Sequence, residues 1–166
     1  MILGLTISQF TAFHVALSFI GIASGLIALP AYASGKWMPR TTALFLATTL
    51  ATTLTGFLFP ISVFTPALGV GIISTAILAV ALAALYVYKL NGRARAIFVI
   101  TATIGLYLNM FVLIVQSFLK VEALNNLAPN GNEPPFLVAQ SVLLLAAIVL
   151  GRKAFTAGSG VAVFGK

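Results

Sequence analysis

From Ser8 to Ala33 the chain carries no charged side chain, and about 26 uncharged residues in a row are enough to cross the ~30 Å hydrocarbon layer of a bilayer as one tilted helix. This stretch constrains the fold more than any other. His14, Ser18, Gly21, Gly25 and Ala28 follow one another at steps of four, three, four and three, so they form one stripe on a helix. Gly21 and Gly25 make a small-xxx-small pair, which admits a close neighbouring backbone. The single histidine lies on the same stripe and is therefore expected to face protein. Ala31-Tyr32-Ala33 has the small-x-small form of a signal-cleavage site. No basic residue precedes the apolar run, however, and the run is longer than a signal core, so it reads as a retained span.

Four further apolar segments follow, and the layout is an all-α polytopic transmembrane bundle of five spans at about 8–33, 41–59, 67–88, 96–119 and 136–150. Only 7% of the 166 residues are charged and mean hydropathy is +1.15, against about a quarter charged in a soluble domain. The chain reads as a single domain, 1–166, with 154–166 as a loose Gly-rich tail. Tyr32 and Trp37 suit the interfacial belt. Pro60 and Pro66, with Phe57, Phe59 and Phe64 around them, mark an uncharged reversal.

The net charge of +7 records orientation and not nucleic-acid binding, because the basic residues flank the spans. With five spans, Lys36, Arg40, Lys89, Arg93, Arg95, Arg152, Lys153 and Lys166 fall on one side, and only Lys120 falls on the other, with Glu122 and Glu133. The expected orientation puts the N-terminus outside and the C-terminus in the cytoplasm.

The polar residues within the spans are few. The second span carries Thr41, Thr42, Thr48, Thr49, Thr52, Thr53 and Thr55, whose hydroxyls are able to bond the carbonyl one turn back and so hide from lipid. Thr48 and Thr52, with Ser18, Gly21 and Gly25, are expected helix-packing positions. Asn109 lies near the middle of the fourth span, where an unpaired carboxamide costs several kcal/mol, and it is expected to meet another helix. On the five-span depth map, His14, Thr52, Ser74, Gln116 and Gln140 all fall in the outer half. This predicts a polar pocket there, with His14 in its wall and Asn109, Gln116 and Gln140 as ligand contacts.

Several chemistries are excluded by residue type. There is no cysteine and no aspartate, hence no disulfide, thiolate site or cysteine nucleophile. One histidine cannot make a catalytic metal site, no acid lies inside an expected span for proton or cation pumping, and no phosphate loop or dinucleotide fingerprint is present. No catalytic or metal-ligating residue is assigned, and the balance leans away from an enzyme. No cofactor is required, although His14 is a possible axial ligand for haem or a pigment, and quinone or lipid needs only an apolar slot with one or two polar groups.

The stretch from His14 to Pro60, with Gly21-x-x-x-Gly25 and Thr55-Gly56-Phe57-Leu58-Phe59-Pro60, and the regions of Asn109 and Pro134-Pro135-Phe136, resemble a family of uncharacterised small bacterial inner-membrane proteins. The resemblance implies a multi-pass helical bundle in the inner (plasma) membrane and brings no activity with it. Members are often four-span, where this layout has five. The reading is therefore an accessory or structural subunit, with the bilayer, further copies of itself or other membrane subunits as partners and no nucleic acid. The second reading is a cofactor-, quinone- or lipid-binding module around His14, and the third a carrier or channel for a small neutral solute.

Overall fold

A computed structural model of the chain describes residues 1–60 and 65–157. Phe64 and positions 158–166 of the expected tail lie outside the described residues. The fold is all-helical, with no strand among the described residues beyond an isolated bridge between Ile2 and Leu5. Its elements are α1 (Ile7–Ala33), α2 (Pro39–Gly56), α3 (Pro66–Leu82, continuing as a π-helical turn Ala83–Val87), α4 (Arg93–Lys120), the single turn α5 (Glu122–Asn125) and α6 (Pro134–Ala157).

Local chemistry sets the helix ends. Thr6 caps α1 in a capping box: its hydroxyl accepts from the Gln9 backbone N–H at 3.2 Å, and Gln9 Oε1 accepts from the Thr6 N–H at 3.0 Å. Such reciprocal bonds satisfy two of the amides a helix start leaves unpaired. Pro30 lies inside α1 without ending it, and Gly35, at φ +81°, turns the chain out as a left-handed residue after a helix does. Pro39 and Pro66 open α2 and α3, where the missing N–H costs nothing. The Thr65 hydroxyl accepts from Leu68 N at 3.2 Å.

After the π turn, Lys89 and Leu90 both take positive φ, at 48° and 56°. Left-handed backbone costs roughly 1–2 kcal/mol per non-glycine residue. Leu90 is 2% exposed within the core, and burying a leucine contributes about 1.5–3 kcal/mol, so the seat of this side chain offsets much of the turn's strain. On the opposite side, Glu133 collects hydrogen bonds from Asn130 Nδ2 at 2.7 Å and from the Asn130 and Asn132 N–H groups at 3.1 Å. Desolvation acts to raise the Glu133 carboxyl, but these hydrogen bonds to its charged form together outweigh that and hold it below its ordinary value.

α6 extends past Leu150, where the apolar run ends, through Arg152 and Lys153 to Ala157. Charges end an apolar run, but long basic side chains do not end a helix, because they reach out to the interface. Ala154 is fully buried, so Ala154–Ala157 are helical and not part of a loose tail.

Among the described residues four helices are long and apolar enough to cross a membrane: Ile7–Ala33, Pro66–Val87, Arg93–Lys120 and Pro134–Ala157. α2, with its seven threonines, is not among them. Leucine, isoleucine and valine side chains stand exposed on these helices, among them Ile27, Ile73, Ile100, Leu145 and Ile148. An outer surface of this kind suits lipid and not water, as in a membrane protein.

α1 packs mainly on α2, and also on α4 and α6, while α3 packs on α4. The core is lopsided. Leu29, Tyr32, Phe45, Leu46, Leu78, Leu85, Phe98, Val99, Leu106 and Ala154 form one continuous cluster, and they lie toward the bundle end that carries the α1–α2 and α3–α4 connections. Tyr32, Trp37 and Phe98 close that end with ring centroids 6.0–6.3 Å apart in edge-on contacts. The other end of the bundle is hollow.

Candidate functional site: a slot in the hollow end of the bundle

The hollow is a cavity of about 690 Å³ walled by α1, α2, α3 and α4. On α4 its lining runs from Gly105 to Lys120, which is roughly 20 Å along the axis at 1.5 Å per residue. The cavity is therefore a long slot that starts near the mouth formed by Thr11, Lys120 and Val121 and ends near mid-bundle at Thr49, Ser74 and Asn109.

Glycine creates the inner end. A Cβ on Gly21 would stand 2.9 Å from Thr49 Oγ1 and 3.2 Å from both Asn109 Nδ2 and Thr48 Oγ1. α1 thus approaches α2 and α4 so closely that polar groups of both meet its backbone. One turn further on, Gly25 gives way to the Phe45 ring and Leu106. The Gly21–Gly25 face is covered from within the chain.

The hydroxyls around the slot divide into two kinds. Thr48, Thr53, Thr55 and Thr75 each donate to the carbonyl four residues back, at 2.7–2.9 Å, which removes their polarity from the packing surface. Thr49 and Thr52 do not. They are only 3% and 9% exposed, they line the cavity, and neither Oγ1 has a hydrogen-bond partner. Asn109 Nδ2 is in the same position, although Asn109 Oδ1 accepts from Ser18 Oγ at 2.9 Å. Each buried unsatisfied group costs about 1–3 kcal/mol; Thr49 Oγ1 and Asn109 Nδ2 lie against the α1 backbone at Gly21, and Tyr32 Oη, Thr103 Oγ1 and Gln140 Oε1 are likewise without partners among the described residues.

His14 stands in the wall one turn above Ser18. Its Nδ1 is 2.9 Å from Thr55 Oγ1. The Thr55 hydroxyl has a single proton, and the carbonyls of Ala51 and Thr52, at 2.7 and 3.0 Å, take it. The hydroxyl therefore accepts from His14 Nδ1–H, and neutral His14 keeps the lone pair on Nε2. Phe59 meets the imidazole edge-on at 5.3 Å, and Gly56 leaves room beside Cε1.

The structure brings His14, Asn109 and Gln116 together around the slot, with Ser18 and Thr52 from the packing set also in its lining. It does not bring Gln140 there. That residue sits on α6 and donates from Nε2 to the Phe111 carbonyl at 3.3 Å, tying α6 to the α4 backbone. Thr49 is the residue that sequence reasoning leaves out of the site. Its only sequence signal is membership of the threonine face, and all seven threonines share that signal. Among the described residues no group of three or more His, Cys, Asp or Glu is placed to hold a metal ion. Compared with protein-family models, curated proteins and solved structures, the chain finds no match in any of the three.

Proposed function

We propose that the protein is a five-span membrane protein whose slot, open toward the outer leaflet, holds a small apolar molecule bearing a polar group. The observation that carries this reading is the cavity itself, about 690 Å³ and mostly apolar, with His14, Ser18, Thr52, Asn109 and Gln116 in its lining. Ligand sites are concave and mostly apolar, with a few convergent polar groups. α2 supplies the fifth span: its 18 residues rise about 27 Å, it lies along α1, and backbone bonding hides several of its hydroxyls. The basic side chains then gather on the cytoplasmic face of a bacterial inner membrane.

Haem or pigment ligation through His14 has one point in its favour, the lone pair left on Nε2. Among the described residues no methionine lines the slot: Met110 packs against the core and Met38 lies at the start of α2, at the far end.

The test is native mass spectrometry of the protein released from mild detergent, beside Val112→Trp, which places an indole in the slot. Expected is one retained non-protein mass per chain, taken up again from a lipid extract after stripping, and lost in Val112→Trp at unchanged helicity. Equal retention by the variant, or no uptake by the wild type, would overturn the proposal.

A second reading is an accessory subunit in a homo-oligomer or larger membrane assembly. It has one observation behind it. Of the 24 residues of α6 only Leu143 and Ala154 are buried, so this helix offers most of its circumference to a neighbour. A single-chain mass in mild detergent, with ligand retention intact, would count against it.

A further inference from the structure

The mouth of the slot narrows the ligand of the cavity reading above, on which this inference rests. Most hydroxyls near the mouth are spent: Thr11, Thr53 and Ser117 donate to their own helix backbones at 2.8–2.9 Å, and Thr65 caps α3. His14 gives its Nδ1 proton to Thr55 and is left with a lone pair only. Two donors remain, both on α4. Gln116 and Lys120 border the slot, one turn apart on one face of the helix. Neither makes a hydrogen bond or an ion pair among the described residues, and neither amide atom of Gln116 is shut away from the surface.

Among the described residues Lys120 is the only charged side chain in the lining, and its charge reaches the His14 imidazole across the mouth. A lysine in a last turn ordinarily complements the helix dipole, but this one bonds no carbonyl of α4. On the five-span layout it is also the one basic residue of nine on the outer side, where basic residues are usually depleted. Inward of Gln116 the wall is largely aliphatic, with Val70, Leu108, Val112 and Leu113. An apolar slot roughly 20 Å long, with one cation at its open end, complements a molecule with a long apolar chain and an anionic head. A carboxylate at the inner end would be a buried, unpaired charge; at the mouth it keeps both water and Lys120.

We propose that the slot holds a long-chain carboxylate, its head at the mouth against the Lys120 ammonium with the Gln116 carboxamide beside it, and its alkyl chain lying inward past Val112 toward Gly105.

The experiment uses the full chain in phosphatidylcholine nanodiscs and three probes: tetradecanoate labelled with ¹³C at the carboxyl, tetradecanol and butanoate. Expected is tetradecanoate binding about fivefold tighter than tetradecanol at equal mole fraction in the bilayer, the upper end for an accessible ion pair, and no binding of butanoate, which has the head without the chain. The bound carboxyl should titrate at lower pH than in empty nanodiscs, because a neighbouring ammonium favours its ionised form. Lys120→Gln, at an exposed position, should erase both the preference and the titration shift while tetradecanol binds as before, and Val112→Trp should expel both long probes. Acid bound no tighter than alcohol, or a preference that survives Lys120→Gln, overturns the inference and leaves the cavity reading standing. Displacement of tetradecanoate by an equal amount of phosphatidylglycerol gives the mouth to a phospholipid head and likewise overturns it. If neither long probe binds, a different mass retained in native mass spectrometry overturns the carboxylate alone, and no retained mass sinks the cavity reading as well.

Discussion

Gly25 and Gly105 are both mid-helix glycines, and alanine at the two positions is expected to act with opposite sign. In a helix interior alanine is favoured over glycine by about 0.8–1.0 kcal/mol. At Gly105 the new Cβ would meet Leu78 Cδ2 at 3.5 Å, an ordinary contact, so most of that gain should survive. At Gly25 the Cβ would stand 2.8 Å from Leu106 Cδ1 and 2.8 and 2.9 Å from two atoms of the Phe45 ring. To reach the ~3.5 Å at which carbon contacts become favourable, both neighbours must retreat by roughly 0.7 Å. Phe45 is wholly buried and Leu106 nearly so, on α2 and α4 respectively, so two helices must yield together. Overpacking of this kind costs about 1–3 kcal/mol; less the propensity gain, Gly25→Ala should lose about 1 kcal/mol net and Gly105→Ala gain up to ~1 kcal/mol. Reversible unfolding in mixed micelles, followed by helicity, reads both values. A Gly25→Ala protein as stable as wild type would refute the claim that α1 owes its seat to backbone-close packing at Gly25, and a destabilised Gly105→Ala would refute the reading of its contact with Leu78 as an ordinary one.

Three further outcomes are expected. A double-mutant cycle on Ser18→Ala and Asn109→Ala should return a coupling of about 0.6 kcal/mol, and at most ~1.7, the range of hydrogen bonds between membrane helices; zero coupling would deny the bond. The Glu133 carboxyl should titrate below its ordinary value by carbon NMR, and Asn130→Ala should bring it back toward that value. The sign follows from the lowered folded value: the stabilisation of the Asn130–Glu133 turn is in place above the unfolded value and is lost as pH falls through the folded one. Because the chain has no cysteine, Glu133→Cys and Arg93→Cys allow clean labelling with an impermeant thiol reagent, and the two should react from opposite sides of the membrane. Reaction from one side would dismiss the five-span orientation.

Helix existence is legible in this sequence because apolar runs, prolines and basic clusters all punctuate at the same places: Pro39 and Pro66 begin helices, and Gly35 ends one. What escapes is the difference between where a helix leaves the apolar run and where it stops. Arg152 and Lys153 mark the first boundary, and α6 goes on to Ala157. The stripe of His14, Ser18, Gly21 and Gly25 is legible as a protein-facing surface, since periodicity alone puts those residues together. Its partners are not. That Ser18 meets Asn109, or that Gly21 admits Thr49, depends on which helices flank α1, and nothing local encodes that. The threonines set the sharpest limit. Whether a hydroxyl turns to its own backbone, as Thr48 and Thr53 do, or stays free, as Thr49 and Thr52 do, is decided by side-chain rotation against neighbouring helices. Gln140 fails as a cavity residue for a related reason: depth along the membrane says nothing of direction around the bundle.

The π turn at Ala83–Val87 amounts to one surplus residue threaded into the third long helix. A turn of this kind takes up one extra residue while closing at nearly the same heading as an ordinary turn. Removing one of the five residues would therefore restore ordinary winding and leave the downstream chain close to its present direction, with Leu90 still near its seat in the core. The segment thus absorbs a change of length: a single-residue deletion within Ala83–Val87 should be better tolerated than one elsewhere in α3, where ordinary winding of about 100° per residue would swing everything downstream.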